Sequence, residues 1–460
     1  MSASKSKNKE KCIVKSSFFI PSLFIAIFLL YIFDNAAMAL PIKQSVESIA
    51  NRLVVKQRDV NSVLPGTWPN EAYFTGSIVA GMADAYDLTS NEAYRYSAEI
   101  GGYYILWSSY PNFFYGDEAY ALKRLSEITD DPNMDIWRAA LKDFYWFVKN
   151  DPGGTKGYIE RLFAGAEPST AVLYIANHVV AAYYVDANDK KIWRQGLINC
   201  LSKVDDNISA YPVLALGIAT WALAKTGPLD SNFIDPSGEG ALYWKGKKLK
   251  DLPILLSTHQ VPDGEPNEGS FYWQFGRNED DPNKYSHKSS DPNGYTEDAI
   301  FATLGLTGVA QTDPNYTKTD PNVAPIDPNI AIVHPKPVDP NKNHPKLDSA
   351  LLAARVALLA GIDPNGKVYE RLSQDGAIYY VYAGEMLQVL KALHIPGDIN
   401  LDGVVNQGDL TLLYLHWLDS NCRWSGWCDG TDINRDGKVD IKDITILADN
   451  WLSGQTHYRY

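Results

Sequence analysis

Tyr211-Pro212-Val213-Leu214-Ala215-Leu216-Gly217-Ile218-Ala219-Thr220-Trp221-Ala222-Leu223-Ala224-Lys225 repeats apolar residues at three- and four-residue steps, the period of an α-helix. Gly227-Pro228 ends it, since neither residue propagates a helix. The same period runs back along the chain and predicts helices over 45–57, 72–86, 91–107, 118–129, 134–149, 170–185 and 190–204. Polar caps and acids mark their starts. Asp131-Pro132 sets a capping side chain before a first-turn Pro, and Pro69-Asn70-Glu71 and Ser90-Asn91-Glu92 put acids where the helix dipole favours them.

Downstream the pattern breaks between 229 and 293, apart from a short helix at 249–256. Gly269-Ser270-Phe271-Tyr272-Trp273-Gln274-Phe275-Gly276 reads there as a short strand or hairpin arm. Helix returns over 296–309, 347–359 and 385–393. Between 312 and 346 stand eight Pro and four Asp-Pro-Asn tripeptides, a composition that buries too little apolar surface to fold alone and reads as spacer or turns. About twelve helices in about six hairpins, joined mostly by short loops, favour antiparallel neighbours. Six hairpins can close on themselves, so the expected class is all-α, an (α/α)6-type toroid over 40–311 and 347–395, interrupted at 312–346.

Composition narrows the function. The chain has 460 residues, 45% of them hydrophobic, which is ample for a large core. A formal charge of −13 disfavours duplex nucleic acid and anionic membrane surfaces as partners, and suits calcium or neutral sugars. No phosphate-cradling loop, Gly-x-Ser-x-Gly elbow, His-Glu-x-x-His or paired Cys-x-x-Cys occurs, so nucleotide, serine esterase and zinc protease chemistry lose support.

The first 39 residues read as an address. Lys5, Lys7, Lys9, Lys11 and Lys15 precede an apolar run over 18–33 and then Ala37-Met38-Ala39, the order of a cleaved secretory signal; the alternative is an uncleaved anchor. The expected location is therefore secreted or cell-surface, with membrane contact only through a partner or an uncleaved signal. In that compartment Cys422 and Cys428 are expected to form a local disulfide, while Cys200 sits on a helical face as a small buried hydrophobe.

Asp398-Ile399-Asn400-Leu401-Asp402-Gly403-Val404-Val405-Asn406-Gln407-Gly408-Asp409 recurs as Asp432-Ile433-Asn434-Arg435-Asp436-Gly437-Lys438-Val439-Asp440-Ile441-Lys442-Asp443. Oxygen at positions 1, 3, 5, 7, 9 and 12, with Gly at 6 for the turn, is the donor set of an EF-hand calcium loop. Two Ca²⁺ ions are expected. Asp398, Asn400, Asp402, the Val404 carbonyl, Asn406 and Asp409 would hold one; Asp432, Asn434, Asp436, the Lys438 carbonyl, Asp440 and Asp443 would hold the other.

The following helices also repeat, Leu410-Thr411-Leu412-Leu413 and Trp417-Leu418 against Ile444-Thr445-Ile446-Leu447 and Trp451-Leu452. This duplicated pattern, with Asp at position 12, resembles a type I dockerin over 397–452, within a domain bounded at 396–453. The resemblance implies calcium-dependent docking to a cohesin domain on a scaffold or surface protein, although 407–408 and 441–442 carry Gln-Gly and Ile-Lys instead of the Ser/Thr pattern. Calcium that only holds the tail together is the alternative. Because dockerins typically tether enzymes that break down polysaccharide, it also implies a carbohydrate-active body.

Trp68-Pro69-Asn70-Glu71-Ala72-Tyr73, Gly116-Asp117-Glu118-Ala119-Tyr120 and Tyr295-Thr296-Glu297-Asp298-Ala299-Ile300 each begin with acid and continue into Ala and an apolar face. Together with the Asp263–Trp273 block they resemble the helix entries of α/α-toroid proteins, a group holding glycosidases, lyases and terpenoid cyclases; the cyclases' Asp-x-Asp-Asp motif is not present. Hydrolysis of an O-glycosidic bond needs two carboxyl groups beside it. The candidates are Asp117 or Glu118 for one and Glu297 or Asp298 for the other, with Glu71 and Glu268 in reserve. A polysaccharide lyase drawing on Tyr104, Tyr115, His178 and Arg161 is one alternative, with His178 equally readable as a core residue. A non-catalytic glycan-binding or surface-assembly body is another.

Overall fold

The computed structural model describes residues 41–109, 114–129, 135–278, 281, 285, 294–312, 347–422 and 426–453. The signal read in 1–39 lies outside them, as does the spacer read in 312–346 apart from Thr312, which ends a helix. The described body is all-helical, and among the described residues no helix is long and apolar enough to cross a membrane.

The helices are α1 (Ile42–Lys56), α2 (Thr75–Thr89), α3 (Glu92–Ser109), α4 (Gly116–Ile128), α5 (Ile136–Asn150), α6 (Gly154–Gly165), α7 (Pro168–Tyr184) and α8 (Lys190–Leu201). They continue as α9 (Pro212–Thr226), α10 (Leu252–Thr258), α11 (Thr296–Thr312), α12 (Leu347–Ala360), α13 (Tyr380–Ala392), α14 (Gln407–Leu415) and α15 (Ile441–Asp449). Six of them close a cycle of contacts: α2 packs on α4, α4 on α7, α7 on α9, α9 on α11, α11 on α13, and α13 on α2.

Most helices of this cycle are apolar nearly all round, because ring neighbours and an outer helix cover them, whereas α4 also carries Lys123, Arg124 and Glu127, joined in ion pairs. In α9 every residue from Pro212 to Ala224 is buried, and in α2 every residue from Thr75 to Tyr86. Outer helices bury one stripe instead. In α5 that stripe is Trp137, Ala140, Leu141, Phe144, Tyr145 and Val148, while Trp146 is exposed.

Two glycine contacts hold the ring tight. A Cβ on Gly81 would collide with the Gly384 carbonyl of α13, and one on Gly217 would stand 2.5 Å from Phe301 of α11. The ring helices run parallel, since backbone groups at the starts of α2, α9 and α13 meet side chains from the starts of neighbouring elements.

The structure departs from the sequence reading in three places. Helix α6 lies between the expected helices 134–149 and 170–185, where none was expected, and it packs on α7 and α8. The expected strand at 269–276 supplies only an isolated bridge, Gln260 to Phe271. Helix α13 starts at Tyr380, five residues before the periodic stretch at 385–393.

Cys200 is 5% exposed in the body core, and Cys422 and Cys428 are joined by a disulfide. Residues Val405, Leu413, Cys422, Cys428, Val439 and Leu447 form a second, smaller apolar core around α14 and α15.

Candidate functional site

Parallel ring helices bring six N-termini to one mouth, where unpaired backbone N–H groups and helix dipoles favour carboxylates. The acids there cap one another's helices. Asp117 Oδ2 accepts the Ser77 N–H of α2 at 3.2 Å. Glu71 accepts Tyr380 N–H at 2.9 Å and Val381 N–H at 2.7 Å, capping α13 from more than 300 residues away. Glu118 caps its own helix through Tyr115 N–H at 2.9 Å.

Capping does not satisfy the whole cluster. Asp117 Oδ1, Asp298 Oδ1 and Glu385 Oε2 are buried oxygens without a hydrogen-bond partner among the described residues. Such atoms are costly unless the carboxyl is protonated or a ligand reaches it. Burial pushes Asp117 up to about 6 against the pull of its N–H donors. Burial, reinforced by the charge of Glu167, pushes Glu297 up to about 7. Asp298 stands well above its ordinary value through burial and the charge of Glu297, and Glu385 through burial and the charges of Glu297 and Asp117. Burial raises Glu71 as well.

Aromatic rings surround these acids. Tyr115 and Tyr174 lie with centroids 5.3 Å apart, Trp273 and Tyr295 6.0 Å, and Tyr379 and Tyr382 5.0 Å. Burial and then carboxylate charges, Glu297 among them, raise the phenols of Tyr174, Tyr211 and Tyr382. Beside Tyr115 and Tyr174 opens a cavity of about 440 Å³, also lined by Phe147, Tyr158 and Arg161.

Of the sequence candidates, Asp117, Glu297, Asp298 and Glu71 come together, with Glu118 on the same helix start. Glu268 is exposed, its carboxylate accepting Gly264 N–H at 2.9 Å, and joins none of these contacts. Glu385 belongs to the cluster and was not among the candidates. Its signal was a lone acid in the apolar stretch Ala383-Gly384-Glu385-Met386-Leu387. His178 is fully buried, stacked on Phe144 and bonded to Tyr145 and the Phe114 carbonyl; burial pulls it down to about 3. It is a packed core residue.

At the other end of the chain the two repeated loops make the same internal bonds. Asp409 accepts Ile399, Asn400 and Asn406 N–H groups, and Asp443 accepts those of Asn434 and Asp440. Gly403 N–H bonds Asp398 at 2.9 Å, and Gly437 N–H bonds Asp432 at 2.8 Å. Asp398 is fully buried, and among the described residues its Oδ1 has no hydrogen-bond donor, so the first loop holds a buried oxygen left for another partner. That donor set of carboxylates, amides and carbonyls fits a hard divalent cation.

Residues 396–452 match the family model of the dockerin type I domain. Dockerin domains bind calcium and cohesin partners, and proteins that carry them are typically extracellular or cell-surface components. No curated protein and no solved structure matches the chain.

Proposed function

We propose that this chain is a polysaccharide-degrading enzyme that hydrolyses O-glycosidic bonds at the mouth of its helix ring and is docked through its calcium-loaded tail to a cohesin-type partner. The observation that carries the reading is the set of buried, incompletely bonded carboxyls, Asp117, Glu297, Asp298 and Glu385, among tyrosines.

Glycoside hydrolysis needs one carboxyl protonated at working pH and a second ionised. Glu297, partly exposed and titrating near neutrality, is the proton donor to the leaving oxygen. Asp117, titrating lower, is ionised at neutral pH and serves the anomeric carbon or its attacking water. Asp298 and Glu385 stay protonated behind them and position the pair. Tyr115 and Tyr174 offer ring faces to sugar C–H surfaces. The ionised Asp117, with no cation among the cluster's acids, repels a uronate, which weighs against a lyase.

Calcium would be held by Asp398, Asn400, Asp402, Val404, Asn406 and Asp409, and by Asp432, Asn434, Asp436, Lys438, Asp440 and Asp443. Its charge offsets the mutual repulsion of these carboxylates and so becomes folding energy for the tail. Tyr414, Leu415, Leu418 and Ile441, each more than 60% exposed, form the apolar face a cohesin-type partner would cover.

The test is a screen of the full chain against neutral and uronic-acid polysaccharides, reading reducing ends and unsaturated products together. Reducing ends without unsaturation are expected, with Glu297→Gln and Asp117→Asn each lowering turnover by about 10²-fold or more. Unsaturated products would identify a lyase. Binding without turnover on every glycan would favour a non-catalytic body.

A further inference from the structure

Tyr243-Trp244-Lys245-Gly246-Lys247-Lys248-Leu249-Lys250 concentrates four lysines in an acidic chain. It borders a cavity of about 390 Å³, a size typical of small-molecule sites, lined by Tyr243, Lys245, Lys247, His259, Phe275 and Tyr285. The cavity wall is rigid and aromatic. Tyr243 and Phe275 stack at 3.7 Å, and the Tyr243 hydroxyl is bonded to His259 Nε2 at 2.9 Å.

Lys247 is only partly exposed. Its ammonium sits 3.2 Å from the Tyr243 ring centroid and donates to the Tyr243 carbonyl. Among the described residues it makes no ion pair, nor does Lys245. Asp205 and Asp206, which approach from behind the aromatic wall, are already engaged: Asp205 by the Tyr285 hydroxyl, Asp206 by Phe275 and Arg277 N–H groups. Asp251, whose carboxylate accepts the Lys248 N–H, is a counter-charge for Lys247 beyond ion-pair distance and offsets its burial only in part. A partly desolvated ammonium without an ion-pair partner is costly, and an anionic ligand relieves that cost.

We propose that this cavity is a second ligand site, separate from the mouth, that takes a sugar unit carrying one carboxylate or sulfate, with the anion on Lys247 and Lys245 and the ring on the aromatic wall. Burial, only partly offset by Asp251, lowers Lys247 to about 8, so it remains mostly charged at neutral pH. That the ring is a saccharide rests on the carbohydrate reading above; the pairing of anion and ring does not.

The experiment titrates the full chain with galacturonate, galactose 6-sulfate, galactose and benzoate by calorimetry at neutral pH. The anionic sugars should bind at least about tenfold tighter than galactose. Lys247→Met should weaken them by about tenfold with an unchanged circular dichroism spectrum, and Lys247→Arg should hold affinity within about threefold. Glu297→Gln, which should lower hydrolysis by about 10²-fold or more, should leave this binding intact. Equal binding of galactose and galacturonate, affinity unmoved by Lys247→Met, or affinity lost in Glu297→Gln would each overturn the proposal. Benzoate binding tighter than every sugar would overturn the saccharide assignment.

Discussion

Glu297 shows how a buried acid at the mouth of the ring weakens the fold that holds it. Its ordinary value of 4.5 is raised to about 7, so between those values the folded chain binds a proton that the unfolded chain has released. Stability therefore falls as pH rises through that window, and the loss is complete above about 7. Glu297→Gln removes the loss. Because a tenfold change in proton affinity is worth about 1.4 kcal/mol and partial exposure screens some of it, the variant should gain about 1–2 kcal/mol over wild type at pH 8 and nothing at pH 4. Urea melts at the two pH values check this. A variant no more stable at pH 8 would mean that Glu297 is solvated in the fold. Asp117 and Glu297 were legible as candidates because an acid opening an apolar helix stands out in sequence. Glu385 was not, because its importance comes from Glu297 and Asp117 on other helices, a proximity created only when the ring closes.

Helix α13 makes the same point at the scale of an element. Its period is plain from Glu385 onward, but the first turn, Tyr380-Val381-Tyr382-Ala383, carries aromatic and β-branched residues and no local cap. What starts it there is the Glu71 carboxylate, delivered across the ring, so its true start could not be read from its own sequence. Helix α6 carries little periodic signal at its start: Gly153 and Gly154 both take positive φ, 90° and 57°, and the first turn, Gly154-Thr155-Lys156-Gly157, has no large apolar side chain to mark a buried face. Ring closure itself is open to test at Gly81. Ala is the better helix former by about 1 kcal/mol, so an uncrowded site would gain from Gly81→Ala. Here the new Cβ meets the Gly384 carbonyl backbone, and the variant should lose about 3 kcal/mol instead. Gly157→Ala on α6, where the nearest neighbours are 3.5 Å or more away, should be neutral or stabilising by up to about 1 kcal/mol. Chemical denaturation of the pair checks both, and equal effects would mean that α2 and α13 do not approach as described.

On the scale of the whole molecule, the calcium loops and the ring are one mechanical unit. Arg435, the fourth residue of the second loop, reaches 2.5 Å to Asp87 at the C-terminal end of α2, where Lys391 at 3.0 Å and Arg124 at 3.1 Å also converge. Burial alone would raise Asp87, but Lys391, Arg435 and Arg124 outweigh it and hold it well below the usual carboxylate range. The first loop is tied as well, Lys43 N–H to the Leu401 carbonyl at 3.2 Å and Arg355 to the Gly403 carbonyl at 3.5 Å. These contacts need the loops in their folded shape, and four Asp in the second loop keep that shape poorly without a cation. Calcium should therefore stabilise the body as well as the tail. A charged hydrogen bond contributes about 1.5–3 kcal/mol, and each kcal/mol moves the midpoint of a domain this large by about 2–4 °C. Chelation should accordingly lower the body's melting midpoint by several degrees in the native chain. Arg435→Ala should start lower by a similar amount and respond less to chelation, because the link that transmits the tail's order is gone. Differential scanning calorimetry of both chains with Ca²⁺ and with chelator decides it. If the body transition of the native chain ignores calcium, the loops are not braced against the ring in solution, and the Asp87 cluster is held by Lys391 and Arg124 alone.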